Sequence, residues 1–301
     1  MTHLRLFRLA LWLFLLVVPT QSTQLFAQAP APATAKNCLW KITSKENTVY
    51  LLGSIHLLKQ DAYPLSDVIE GAFNNSKTLV LEVDLDAMNA PEAQQLILTK
   101  GLLPDGKTLR QTLSPETYRL VSEKVAAMGL QMEAVGRLKP WFLTLTLAVA
   151  KMQQLGYNPQ YGIDKHFFDK ARKSNKEVVG LETAEYQISL LDEMASSAQE
   201  ATLLQTLKEL DLFEKEFSQI VQAWSSGDSG LLEKSLLDSF KEYPEVHAKL
   251  VLERNRNWLP KIEGFFGKGV NTLVIVGAAH LVGHEGVIEL LKRKGHKVEQ
   301  M

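Results

Sequence analysis

The sequence predicts an α/β protein whose mixed central sheet is built from two β-loop-α-β units with a long, mainly helical insertion between them. Three observations predict it. An apolar, β-rich run ends in Gly-x-x-His twice, as VYLLGSIH from Val49 to His56 and as LVIVGAAH from Leu273 to His280. Each histidine is followed by helical spacing of apolar residues and then by a second β-rich segment. Between the units, residues 91–267, to within a few positions, keep a helical period punctuated by proline and glycine.

The 301 residues are 46% hydrophobic and 22% charged, the balance of a chain that can bury a sizeable core. A formal net charge of -1 offers no footprint for a nucleic-acid backbone, so no nucleic-acid partner is expected. Lys292, Arg293 and Lys294 read as a solvated helix end.

Residues 1–27 stand apart. Arg5 and Arg8 precede the apolar run Leu9 to Val18, which is shorter than the roughly 20 residues of a membrane span, and a small residue follows at Ala27. This is the pattern of a secretory signal, so the chain is expected to be exported to the periplasm or secreted, with no membrane span after cleavage. An uncleaved anchor is the alternative. The Pro/Ala-rich residues 28–37 read as a linker, and a single domain is expected over 38–301. Cys38 is the one cysteine, so no intramolecular disulfide can form and stability rests on the core.

The elements follow in order. CLWKI and TVYLLG flank a polar loop and predict two antiparallel strands. Ser66 is placed to cap a short amphipathic helix carrying Val68, Ile69, Ala72 and Phe73. KTLVLEVDL is a strand interrupted by Glu82. Within the insertion, Pro115 and Pro140 sit where a first helical turn tolerates proline, and Gly129 and Gly156 where helices stop. The run PWFLTLTLAVA reads as a buried helix, and KEVVGLE, Lys176 to Glu182, as a further strand followed by a helix start at Thr183. The chain closes with strand NTLVIVG, loop AAHLVG, helix HEGVIELLKRKG and strand HKVEQM.

Gly53 and Gly277, ending buried strands, are expected to take positive φ and turn the backbone toward the crevice beyond the sheet. That brings His56 and His280 to one place. Glu82 strengthens the case, because an ionised carboxylate in an apolar strand costs several kcal/mol unless a metal, a cation or hydrogen-bond donors face it. Two imidazoles and a carboxylate could hold a divalent metal ion, of unknown identity, with positions open for water. Arg254, in LVLERNRNWLPKI, is the arginine best placed either to pair with Glu82 inside the fold or to stabilise a developing oxyanion. Asn255, Glu182 and Asp164 are second-rank substrate-binding candidates, the last two also reading as a helix-terminal charge and an N-cap. His280 and His284 have the spacing of helical zinc ligands, but Gly283 interrupts the helix between them.

In LLGSIHLL, LVLEVD, YGIDKHF, VVGLETAEYQ, ERNRNW and VIVGAAHLVG, taken in order, the chain resembles the TraB/PrgY/GumN family, related to the TIKI metalloproteases and more distantly to erythromycin esterase and ChaN-like proteins. The resemblance implies an α/β core with two Gly-x-x-His motifs and an acidic residue, matching His56, His280 and Glu82. For TIKI proteins that constellation is associated with metal-dependent peptide cleavage. The expectation is therefore an exported metal-dependent hydrolase acting on a peptide or another small envelope substrate. Two alternatives stand beside it: a metal-independent, esterase-like hydrolase using a histidine base, and a binding protein that holds a peptide or glycan without turnover.

Overall fold

The computed structural model describes residues 36–301 and contains one six-stranded mixed sheet, ordered β4-β3-β5-β2-β1-β6. The strands are β1 Leu39–Thr43, β2 Thr48–Ser54, β3 Thr78–Val83, β4 Glu177–Glu182, β5 Thr272–Gly277 and β6 Val298–Gln300. The leader expected over 1–27 and most of the linker expected over 28–37 lie outside the described residues.

β1 and β2 pair antiparallel from Leu39 opposite Leu52 to Thr43 opposite Thr48. Their short loop is closed by Ser44, whose Oγ donates to Asn47 Oδ1 at 2.7 Å. β2, β5, β3 and β4 are mutually parallel neighbours. β3 and β5 are buried along their whole length, because helices cover both faces, and this is why they read as continuous apolar runs rather than alternating ones.

Register positions the site. Gly53 lies opposite Val276 and Ser54 opposite Gly277, so the loops bearing the two histidines leave adjacent strands at the same level. On the far side of β5, Leu81 of β3 faces Ile275, and Val83 faces Glu182 of β4. Four carboxyl ends of parallel strands thus lie side by side, where ligands collect in open α/β sheets.

The insertion is helical apart from β4. Ser66, Ser114 and Thr183 each cap a helix by accepting from a backbone amide three residues on, and Pro115 and Pro140 occupy first turns. Gly129 and Gly156 take positive φ just past helix ends. The helix Pro140–Gln154 packs Trp141, Leu143, Leu147 and Ala148 inside the protein. Among the described residues no helix is long and apolar enough to cross a membrane.

Two details differ from the sequence reading. The segment after β5 is a short helix, Ala278–Leu281, rather than a loop, and the next helix begins only at Val287, after Gly283 at φ 82° breaks the chain direction. Neither Gly53 nor Gly277 takes the expected positive φ: Gly277 has φ -48° and ψ 133°. Space explains both. A Cβ on Gly53 would lie 2.5 Å from Cys38 Sγ and 3.0 Å from Ala278 Cα.

Candidate active site

His56 sits just beyond β2, and a distant segment runs back along it. The Asn158 amide donates to the Leu58 carbonyl at 2.9 Å and the Ile163 amide to the Ile55 carbonyl at 3.1 Å. These bonds start the helix Ile163–Lys173 beside the histidine, with Gly162 at the N-cap rather than Asp164. Asp164 instead turns inward, its Oδ2 2.6 Å from His56 Nδ1, with the two side chains only 6% and 9% exposed. A carboxylate only accepts, so the proton lies on Nδ1 and Nε2 is the imidazole's outward nitrogen. Burial opposes the imidazolium, but the facing Asp164 outweighs it by charge and hydrogen bond and holds the His56 pKa above its ordinary 6.5.

Glu82, buried in β3, is compensated on both oxygens. Oε1 accepts from the Gly277 amide at 2.7 Å, and Oε2 from Arg254 Nη2 at 2.5 Å. Arg254 projects from the helix Glu253–Glu263, which follows a π-helical segment, Ala248–Leu252. Its Nε donates to Glu182 Oε1 at 3.0 Å and Nη2 to Glu182 Oε2 at 2.8 Å. Nη1 reaches the Leu250 carbonyl at 3.3 Å and His280 Nε2 at 3.1 Å. Its guanidinium also stacks over Trp258, 4.7 Å from the ring centre. Burial alone would disfavour this cation, yet Glu82 and Glu182 raise its pKa further above the arginine range. Of the two roles the sequence left open for Arg254, the structure shows the pairing with Glu82 and adds Glu182.

His280 is fully enclosed. Its Nδ1 lies 2.7 Å from Asn255 Oδ1, while Asn255 Nδ2 donates to the Glu285 carbonyl at 2.9 Å and so fixes the amide's orientation. The Nδ1 proton therefore points to Asn255, and the Nε2 lone pair faces Arg254. Burial, reinforced by Arg254, holds the His280 pKa well below its ordinary value, so the ring is neutral. Asn255 and Glu182, the substrate-binding candidates, are bonded to His280 and Arg254 respectively.

The groups meet at Gly277. A Cβ there would lie 3.3 Å from Glu82 Oε1, 3.5 Å from His280 Cδ2 and 3.5 Å from His56 Nε2. His284 does not join His280: its side chain is 84% exposed and lies 3.1 Å from Glu285. Sequence reasoning missed Gln187, whose Nε2 lies 3.3 Å from Glu182 and 3.5 Å from Glu82, and Trp258, stacked at 4.3 Å on His280. It also missed Trp224, whose indole donates to the Gly53 carbonyl at 2.6 Å. Gln187 and Trp258 end the VVGLETAEYQ and ERNRNW segments that carry the family resemblance, which was the signal available for them, whereas nothing in the sequence separates Trp224 from an ordinary amphipathic helix residue.

A small cleft of about 40 Å³ opens beside His56, bounded by His56, Gly277 and Ala279 on the sheet side and by Phe217, Ile220 and Leu236 on the helical side. For a divalent metal the residues do not fit as placed. The Glu82 oxygens and His280 Nε2 are already bonded to donors, two of them on the Arg254 cation. Among the described residues no three His, Cys, Asp or Glu side chains are grouped to hold an ion.

The chain is 25% identical to the "Uncharacterized protein YbaP" of Escherichia coli (strain K12) over 243 residues, covering 81% of this chain and 87% of the relative. The same identity and coverage hold for YbaP of Shigella flexneri. An "Uncharacterized protein" of Treponema pallidum (strain Nichols) is 21% identical over 269 residues, 85% of this chain and 80% of its own. No solved structure gives a significant match. The family model for TraB/PrgY/gumN matches residues 38–300, and the chain belongs to that family.

Proposed function

We propose that the chain is a hydrolase of a peptide or related acyl bond in which His56 is the general base. One observation carries this reading: Asp164 grips His56 Nδ1 at 2.6 Å in a buried pair, leaving Nε2 on the side of Gly277, 3.5 Å from where a Cβ there would lie and close to Glu82, and both His56 and Gly277 line the cleft. An imidazole so held can take a proton from water through Nε2 as the oxygen attacks a carbonyl carbon. Asp164 stabilises the imidazolium, which then returns the proton to the leaving group. Glu82, pinned by Arg254 and the Gly277 amide, offers a fixed negative edge to orient the water. The test is turnover of a panel of peptide amides and esters by the purified chain and by His56→Ala. A panel on which both proteins are equally inert would sink the proposal and favour the binding-protein alternative.

Metal dependence is the second reading. It is favoured by both imidazoles having Nδ1 bonded to a side-chain oxygen acceptor, the support that metal-binding histidines use. An ion at His56, Glu82 and His280 would have to displace Arg254 from His280 and compete with the donors already on Glu82. Elemental analysis of the purified chain against the His56→Ala/His280→Ala variant separates the readings, as a stoichiometric ion lost in the variant supports the metal. Export to the periplasm or beyond, read from the pattern in residues 1–27, accompanies either reading and is tested by cell fractionation.

A further inference from the structure

The cleft beside His56 has one chemical character on its far side. Phe217 and Ile220 come from the helix Phe213–Ser225 and Leu236 from the helix Ser229–Leu237. Of its lining residues only His56 can carry charge, so a charged group entering would lose its hydration without a partner. The roof is also fixed relative to the base. Trp224, four residues beyond Ile220 on the same helix face, donates to the carbonyl of Gly53, and Ser54, Ile55 and His56 follow directly. The width of the cleft is therefore set by a bond to the strand that carries the base.

We propose that this cleft is the specificity pocket of the hydrolase described above, and that it selects substrates with an uncharged apolar group next to the scissile carbonyl. The inference rests on that reading for its catalytic half only. The usable space is about 40 Å³ on a measure where a single water takes roughly 10–15 Å³, which suits one small side chain or a short acyl chain rather than a folded partner. An apolar group seated against Phe217, Ile220 and Leu236 would place its neighbouring carbonyl toward Gly277 and His56 Nε2. A carboxylate-bearing group would be rejected by the same wall.

The experiment has two arms on the intact purified chain. In the first, kcat/KM is compared for N-acetyl-leucine and N-acetyl-glutamate 4-nitroanilides and for 4-nitrophenyl esters from acetate to octanoate. The leucyl substrate is expected to exceed the glutamyl one by about tenfold or more, and the ester series to rise with chain length until the pocket is full. Ala279→Leu, which fills the pocket, should erase both preferences, and Leu236→Ala should move the ester optimum to longer chains. In the second arm, calorimetry compares binding of N-acetyl-leucinamide with that of N-acetyl-glutamic acid α-amide. Turnover that depends on His56 yet is flat across both series overturns the pocket and leaves the hydrolase standing. Absent turnover with tighter binding of the leucyl amide supports the pocket and removes the hydrolase, whereas equal or no binding of the two amides overturns the pocket whatever the turnover.

Discussion

Asp164 is bonded to His56 at 2.6 Å although 108 residues separate them, and the bond exists because the approach to the Ile163–Lys173 helix is stitched to the loop after β2.

Asp164→Asn tests this pairing. An amide can present a donor to Nδ1 and leave the proton on the wrong nitrogen, so kcat should fall by about 10² to 10⁴ with KM little changed. His56 is a base only when neutral and its pKa is raised above 6.5, so activity should climb as pH rises through that elevated value. Without the Asp164 charge, the acidic limb of any residual activity should move to lower pH. Linkage gives the matching stability change: a raised histidine pKa adds stability below pH 6.5 that fades as pH passes the folded value, and this increment should disappear in the variant.

Arg254→Met should be strongly destabilising, by about 3–5 kcal/mol in denaturant unfolding, because it leaves Glu82 and Glu182 buried without their cation. Adding Glu82→Gln should recover part of the loss. A variant as stable as the original would mean that the Gly277 amide and Gln187 suffice to hold the carboxylates.

The two motif glycines should fail differently. Gly53→Ala forces a methyl onto Cys38 Sγ and the Ala278 backbone and should cost about 1–3 kcal/mol in stability. Gly277→Ala meets Glu82, His280 and His56 at 3.3–3.5 Å, so its fold should survive within about 1 kcal/mol while turnover drops as water is crowded from the site. Paired thermal melts and rate measurements separate the two.

Cys38 is buried and its thiol is pushed up to about 12, burial outweighing the hydrogen bond involving Gly53. At pH 8 the native protein should be inert to a thiol-exchange reagent and become reactive only on unfolding. Rapid labelling of the folded chain would contradict the burial.

Much of this was legible in the residues. Apolar runs broken by Gly-x-x-His gave strands β2 and β5, and the oddity of Glu82 in such a run announced that a cation or donors must face it. The rest depended on relations with no local period. Asp164 reads equally well as an N-cap, and only the docking of Gly162 and Ile163 against the His56 loop decides its role. Glu182 and Asn255 were noticed, but their partners were not, since hydrogen bonds across 72 residues and across 25 leave no trace in spacing. The glycines were recognised for the wrong reason, because the volume beside a Cα is set by neighbours that local sequence does not contain.

The order in which these groups occur along the chain has a consequence for its synthesis. His56 and Glu82 emerge early, whereas Arg254, Gly277 and His280 come within the last fifty residues. A nascent or truncated polypeptide lacking that final stretch has no β5 to set the register and no guanidinium to neutralise Glu82. Such a product cannot assemble the cluster of Glu82, His56 and His280 around Gly277, which exists only once the C-terminal strands have been made.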